Sequence, residues 1–291
     1  MIHESIIKNH YNRLLVFYSD KGLDKKNADK YSKMRCEKLQ NFGSKDSYFF
    51  NLQNLIPHLC NSKQNPSILD IGCGSGEYVV IMNLLGFVAH GSDIYKDEVN
   101  IAKSLAKDLG LSEKIFKITN VGEPLPYRDK SFDLCTMFSV MEHLNNDVYV
   151  SLCSDCIRIS KTGLYSLVPN RFKFVDDHTR VPFLGFIPQF LIPFFLKLLN
   201  RDYILSESGT WDVTLRSFKL HKKLSEKFSC HVKLVDDNFI YPTLDLVPKL
   251  NFVFNFGVKN LLYNLHVLMV KILYSSKENY YPYLNILISP K

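Results

Sequence analysis

Asp70-Ile-Gly-Cys-Gly-Ser-Gly-Glu-Tyr78 is the stretch of this chain whose residue types and spacing are best suited to chemistry. Glycines at 72, 74 and 76 let the backbone take positive φ and approach a ligand more closely than any Cβ would permit. A short apolar run, Ile68-Leu69, precedes the loop, and a helix over residues 78–85 is predicted to follow it. In a strand, loop, helix arrangement the unpaired N–H groups of the first helical turn face the ligand and favour an anion. A dinucleotide loop would put its third glycine at 77, where Glu77 stands, and a Walker loop needs a Lys-Ser or Lys-Thr pair that is absent.

Two further stretches carry acid–base chemistry. Ser139-Val-Met-Glu-His-Leu144 places Glu142 and His143 just after a buried-type strand, residues 134–138, at the carboxyl end where open α/β sheets bind ligands. Arg171-Phe-Lys-Phe-Val-Asp-Asp-His-Thr-Arg-Val-Pro-Phe183 supplies Asp177, His178 and Arg180 in the order acid, imidazole, guanidinium, suited to deprotonating a hydroxyl and gripping an anionic substrate.

The pattern Asp70-x-Gly-x-Gly-x-Gly resembles motif I of the class I S-adenosylmethionine-dependent methyltransferases. The resemblance covers about residues 66–182 and implies that the loop, through Asp70, Gly72, Cys73, Gly74 and Gly76, holds the amino acid end of S-adenosyl-L-methionine. Asp93 ends an apolar strand 17 positions past Gly76, a spacing that suits a carboxylate accepting both ribose hydroxyls, with Ile94 beside it. Relatives carry an Asp before the loop between strands three and four that takes the adenine amino proton; here Asn120 and Val121 stand there, and an Asn carbonyl accepts the same bond without charge. Ser139 opens the Ser-x-x-Glu-His-Leu segment, which is similar to quinone-precursor and sugar methyltransferases; the Asn/Asp-Pro-Pro-Tyr of nucleobase and amide N-methyltransferases is absent. The Pro-Asn170 ending of strand five and the His178-x-Arg180 stretch resemble methyltransferases encoded beside cell-surface glycan genes, which makes Asn170 and Arg180 expected substrate contacts. Bland uses stay open beside these: Asp93 as a helix-start acid, Glu142 as a carboxylate favoured by a helix dipole, His178 as a surface histidine.

Elements of the expected order position these residues. Helices are predicted over residues 3–20, 24–41 and 49–59, forming a helical cap over residues 1–60 ahead of a methyltransferase domain over 61–291. Tyr31 and Arg35, four apart on the second helix, either see the ligand or simply pack. Residues 87–93 read as a strand, 96–109 as a crossover helix closed by Gly110, 114–120 as an alternating strand, and 157–160 with 163–170 as the fifth strand. A helix over 212–228, a strand over 231–240 and a closing antiparallel strand over 283–289 complete the pattern. The alternation implies a doubly wound α/β sheet, and the resemblance implies seven strands in the order 3-2-1-4-5-7-6, a Rossmann-like sheet. Residues 184–210, rich in Phe, Leu, Ile and Pro, are expected to form a lid insertion, and 244–282 a second, largely helical one.

Composition bounds the function. At 291 residues, 46% hydrophobic and 22% charged, the chain is ordinary globular material. The net charge of +7 is diffuse, and the densest basic cluster, residues 21–38, also holds Asp24, Asp29 and Glu37, so no nucleic-acid partner is expected. Seven cysteines without framework spacing read as reduced, cytosolic thiols, and Cys153-x-x-Cys156 lacks a second pair, so no metal site is expected. The first residues carry no signal-peptide pattern, and the apolar stretch 181–196 is broken by Pro182, Pro188 and Pro193 and is shorter than the roughly 20 residues a spanning helix needs. The expectation is a cytoplasmic enzyme that O-methylates a small-molecule or glycan-type acceptor, with His178 or His143 as base and Asp177 or Glu142 orienting it. Two other readings fit the same residues: a membrane-surface methyltransferase acting on a polyprenyl-linked or quinone-type lipid, and a cofactor-binding module without chemistry. Acceptor identity, the atom methylated and oligomeric state stay open.

Overall fold

In the computed structural model, the described residues are 2–44, 47–176, 178–201, 205, 213–235, 261, 264–265, 268–269 and 283–291. Seven strands form one sheet: β1 (Ser67–Ile71), β2 (Val88–Asp93), β3 (Phe116–Ile118), β4 (Leu134–Phe138), β5 (Leu164–Pro169), β6 (Cys230–Leu234) and β7 (Tyr283–Pro290). Their order is β3-β2-β1-β4-β5-β7-β6, parallel except for β7, which runs antiparallel to β5 and β6. This is the expected doubly wound order. Strands β4 and β5 are buried at every position because helices cover both faces, which is why they read as continuous apolar runs.

One core packs α1 (Glu4–Asp20), α3 (Tyr48–Leu59), α4 (Glu77–Leu84) and α5 (Lys96–Asp108) on one face of the sheet, with α2 (Lys25–Asn41) against α1 and α4. The opposite face packs α6 (Asn146–Ile159) and α8 (Phe218–Glu226). Local chemistry sets the ends: the Asp24 carboxylate accepts from the Asn27 N–H at 2.9 Å to start α2, and Asn145 accepts from the Asp147 and Val148 N–H groups to start α6. Register then aligns the chemistry, since Asp70 on β1 sits between Gly91 of β2 and Thr136 of β4. The strand order reverses between β1 and β4, so the carboxyl ends of β1, β2 and β4 open onto a crevice.

Four sequence expectations are corrected. Residues 157–159 belong to the last turn of α6 rather than to strand five; Tyr149, Cys153, Cys156 and Ile159 give that helix its buried side. Residues 213–217 are not helical: Asn170 and Arg216 form a parallel bridge, Arg171 N–H donates to the Arg216 carbonyl, and α8 starts only after the Ser217 cap. The third strand is three residues long because residues 113–115 form a 3-10 turn. The sixth strand starts at Cys230 and ends at Leu234, and residues 236–240 lie outside the described residues.

Residues 184–201 form two 3-10 turns and α7 (Ile192–Leu198), which share a small separate core of Val181, Leu184, Ile192, Leu196, Val213 and Leu215. Most of the 244–282 insertion lies outside the described residues; residues 261, 264–265 and 268–269 are helical, as expected. Among the described residues no helix is long and apolar enough to cross a membrane, and all seven cysteines are free and buried.

Candidate active site

A cleft of about 1200 Å³ opens at the carboxyl ends of β1, β2 and β4. Asp70, Gly72, Cys73, Gly74, Asp93, Ile94, Asn120, Val121, Ser139 and His143 all line it, so ten of the expected site residues share one concavity. The loop is bound to β2: Gly72 and Cys73 N–H groups donate to the Ser92 carbonyl, and the Gly74 N–H donates to Asp93 Oδ2 at 2.7 Å. Asp93 Oδ1 accepts from the Tyr95 N–H at 3.0 Å, which fixes the carboxylate at the start of α5. Glycine is required at 72 and 74. Both have positive φ, and a Cβ would meet Val140 Cγ2 at 2.5 Å or Glu98 Oε2 at 2.6 Å. Gly76 does not line the cleft; a Cβ there would meet Ala102 and Phe116, so its role is helix packing.

The electrostatics suit a ligand that brings positive charge and hydroxyl donors. Burial pushes the Asp70 carboxyl up to about 7, with Asp93 adding to the rise and a 2.7 Å hydrogen bond from Thr136 opposing it. Two acids on one cleft wall repel, and an ammonium or sulfonium group relieves both. Lys38, pushed down to about 8 by burial and by Arg35, lies over the Tyr78 ring at 4.5 Å. Arg35 and Lys38 both line the cleft, a contribution of the helical cap that the 24–41 pattern left open for Arg35 and did not single out for Lys38. Tyr31 is not in the lining and sits beside Tyr18. Arg35 also donates to Glu77 Oε2 at 3.2 Å, while His10 Nε2 lies 2.8 Å from Glu77 Oε1 and Ser75 Oγ donates to the same oxygen at 2.7 Å. Burial alone would raise Glu77; the Arg35 charge and His10 hold it well below the usual carboxylate range.

The second end of the cleft is built by the segment after β4. Ser139 takes φ of +56°, a left-handed turn that directs the chain into the 3-10 turn Met141–His143. Ligand atoms of Glu142, His143 and His178 lie within 4.8 Å of one another, and the two imidazole rings stand 5.6 Å apart at 89°. Glu142 is buried, His178 half-buried, and His143 exposed on the cleft wall. His178 sits in a tight turn bridged by Val175 and Pro182, in which Asp176 Oδ1 accepts from the His178 and Thr179 N–H groups. Asp177 lies outside the described residues; the acid beside the His178 ring is Asp176, 3.9 Å from Nδ1. Burial would raise Asp176, but the hydrogen bonds from His178 and Thr179 hold it below the ordinary carboxylate value.

Arg216 is fully buried beneath this turn and was missed by sequence reasoning. Its guanidinium donates to the Met141 carbonyl at 2.9 Å, to the Leu144 carbonyl and to Asn146 Oδ1 at 3.0 Å, with its Cζ 4.7 Å from the centroid of Tyr149. Thr214 N–H donates to the Glu142 carbonyl at 2.6 Å. Asn170 and Arg180, expected to touch substrate, do not line the cleft: Asn170 Oδ1 accepts from the Phe172 N–H in a buried turn, and Arg180 is exposed.

A glycine loop bound to an acid at the end of β2, on a sheet of this order, defines a class I S-adenosylmethionine-dependent methyltransferase fold. Residues 62–163 match the family model described as a methyltransferase domain. Over 103 residues the chain is 35% identical to norajmaline N-methyltransferase of Rauvolfia serpentina, covering 35% of each protein. Over 151 residues it is 28% identical to ubiquinone biosynthesis O-methyltransferase of Agrobacterium fabrum, covering 47% of this chain and 60% of that enzyme. The chain therefore spans between a third and three fifths of these curated relatives. Among solved structures, the YcgJ protein of Bacillus subtilis is similar at 16% identity and a TM-score of 0.47, over 83% of this chain and 99% of that one. Residues 62–163 thus carry the match to a methyltransferase domain, on a sheet with the strand order of the class I methyltransferase fold.

Proposed function

We propose that this protein transfers the methyl group of S-adenosyl-L-methionine to an oxygen of a small-molecule or glycan-type acceptor. The observation that carries the reading is that the glycine loop, Asp93 and His143 line one cleft, with Glu142 and His178 directly behind His143. The cofactor supplies an electrophilic methyl on a sulfonium when bound, so the protein's task is alignment, exclusion of water and removal of the acceptor proton. Asp93 and the glycine loop beside Asp70 would hold it, with Arg35 and Asn120 as further contacts. His178 or His143 takes the acceptor proton, with Asp176 behind the first and Glu142 beside the second. A cytoplasmic location accords with the reduced cysteines.

Calorimetric titration with S-adenosylmethionine and S-adenosylhomocysteine, beside Asp93→Ala, tests this directly. Micromolar binding that the variant loses supports the reading; no binding by the folded protein overturns it.

A second reading has a specific observation behind it. Phe190, Phe194 and Leu198 recur every four residues and are 80%, 62% and 67% exposed. Such a stripe fits contact with a membrane surface and a polyprenyl-linked or quinone-type lipid acceptor.

A further inference from the structure

We propose that Glu142, His143 and His178 bind a divalent cation of the Zn²⁺, Co²⁺ or Mn²⁺ kind at the acceptor end of the cleft. The inference rests on the reading of this cluster as the acceptor end and goes beyond it. Two imidazoles and one carboxylate are a borderline-soft ligand set that leaves coordination positions open, the arrangement of catalytic rather than closed structural sites. One ligand atom from each residue lies within 4.8 Å of the others, whereas ligands around a tetrahedral ion at about 2.1 Å stand about 3.4 Å apart. The gap to close is thus at most about 1.4 Å for any pair of ligand atoms.

The supports of the three ligands are those a metal site needs. Glu142 and His143 are adjacent on a 3-10 turn whose carbonyls are held by Arg216 and Thr214, so their backbone is fixed. His178 is fixed by the Asp176 turn, whose Asp176 Oδ2 lies 3.9 Å from Nδ1. His143 is the member that lines the cleft, so the cation would sit at the cleft wall. No cysteine belongs to the cluster. The spacing, one adjacent pair and a third ligand 35 residues later, is not a metal motif in sequence, which is why no site was expected there.

A hydroxyl on an open position of the cation becomes more acidic: its O–H bond breaks, the electron pair stays on oxygen and the proton passes to water. In that state the imidazole lone pairs are engaged with the ion, and the histidines act as ligands rather than as the base.

The test uses the full chain, stripped with EDTA and dialysed. CoCl₂ and, separately, ZnCl₂ are titrated by calorimetry, with the visible absorption of Co²⁺ recorded on the same samples. The proposal expects one equivalent bound, a visible d–d band without thiolate charge transfer, and binding weakened about 10-fold or more in each of Glu142→Gln, His143→Ala and His178→Ala. Thermal melts of the three variants establish that they are folded, and Glu142→Gln keeps the side-chain shape should an Ala variant fail. Absence of a d–d band, or equal affinity in all folded variants, overturns the proposal. S-adenosylhomocysteine titrated into the same samples separates the two ideas: a protein that binds it but takes up no cation sinks only the metal site, and one that takes up the cation but does not bind it sinks only the methyltransferase reading.

Discussion

Asp70 is buried between β2 and β4 at the wall of the cleft, accepts a hydrogen bond from Thr136, and burial pushes its carboxyl from the ordinary 3.8 up to about 7. The sign follows from proton counts. Between these two values the folded state holds a proton that the unfolded state has released, so stability is greatest at low pH in this window and falls as pH rises through about 7. The loss amounts to about 4 kcal/mol at 1.36 kcal/mol per pKa unit. Asp70→Asn removes the ionisation, and urea denaturation at pH 5 and pH 8 is expected to show a clear drop for the natural protein and a much smaller one for the variant; equal drops overturn the assignment. Cofactor binding is coupled with the opposite sign. A ligand that brings a cation favours ionised Asp70, so S-adenosylhomocysteine affinity rises between pH 6 and pH 8, and Asp70→Asn flattens that slope. Glu77 is the contrasting acid, also fully buried but paired with Arg35 and His10. Glu77→Leu leaves Arg35 without its buried partner and costs about 3–5 kcal/mol, read as a lowered denaturation midpoint; an unchanged midpoint contradicts the network.

The turn after β4 is held by a neighbour distant in sequence, and this sets what was legible. The glycine loop and the acid at the end of β2 arise from contiguous patterns of apolar runs, glycines and caps, so they could be read directly, whereas the sheet order followed from the family resemblance. Helix α6 was missed although Asn145 caps it, because its buried side is Tyr149, Cys153, Cys156 and Ile159 rather than a run of Leu and Ile. The helical reading of 213–217 failed because Arg216 bridges to Asn170 and Leu215 is buried in the small core with Val181 and Leu184, tertiary contacts that no periodicity records. Arg216 was not singled out within that helix, yet its fork satisfies two carbonyls and an amide oxygen 70 and more residues away. Lysine offers a point charge instead of a planar fork. Arg216→Lys is therefore expected to misplace Glu142 and His143, lowering turnover about 10-fold or more while S-adenosylhomocysteine affinity stays within about twofold. A parallel loss of both, or of neither, removes Arg216 from this positioning role.

At the scale of the molecule, the two ends of the cleft are assembled from opposite directions. The helical cap brings Arg35 and Lys38 to the glycine loop, while the segment from Asn170 to Arg216 brings His178 and the Arg216 clamp to the end of β4. Between them that second segment carries its own small core, and this leaves Phe190, Phe194 and Leu198 outside it. Those three side chains lie on the same stretch as Lys197, and Leu261, Leu265 and Leu268 of the later insertion are also exposed, at 67%, 46% and 51%. A protein with a net charge of +7 and exposed rings of this kind gains both apolar burial and attraction at an anionic bilayer surface. If the acceptor is lipid-linked, co-sedimentation with anionic vesicles is expected to pellet the protein, and Phe190→Ser combined with Phe194→Ser to return it to the supernatant. Raised salt should weaken pelleting without abolishing it, because salt screens the charge and leaves the apolar contact. A natural protein that stays in the supernatant with such vesicles removes the lipid reading and leaves the water-soluble acceptor, since the two phenylalanines would then have no bilayer to meet.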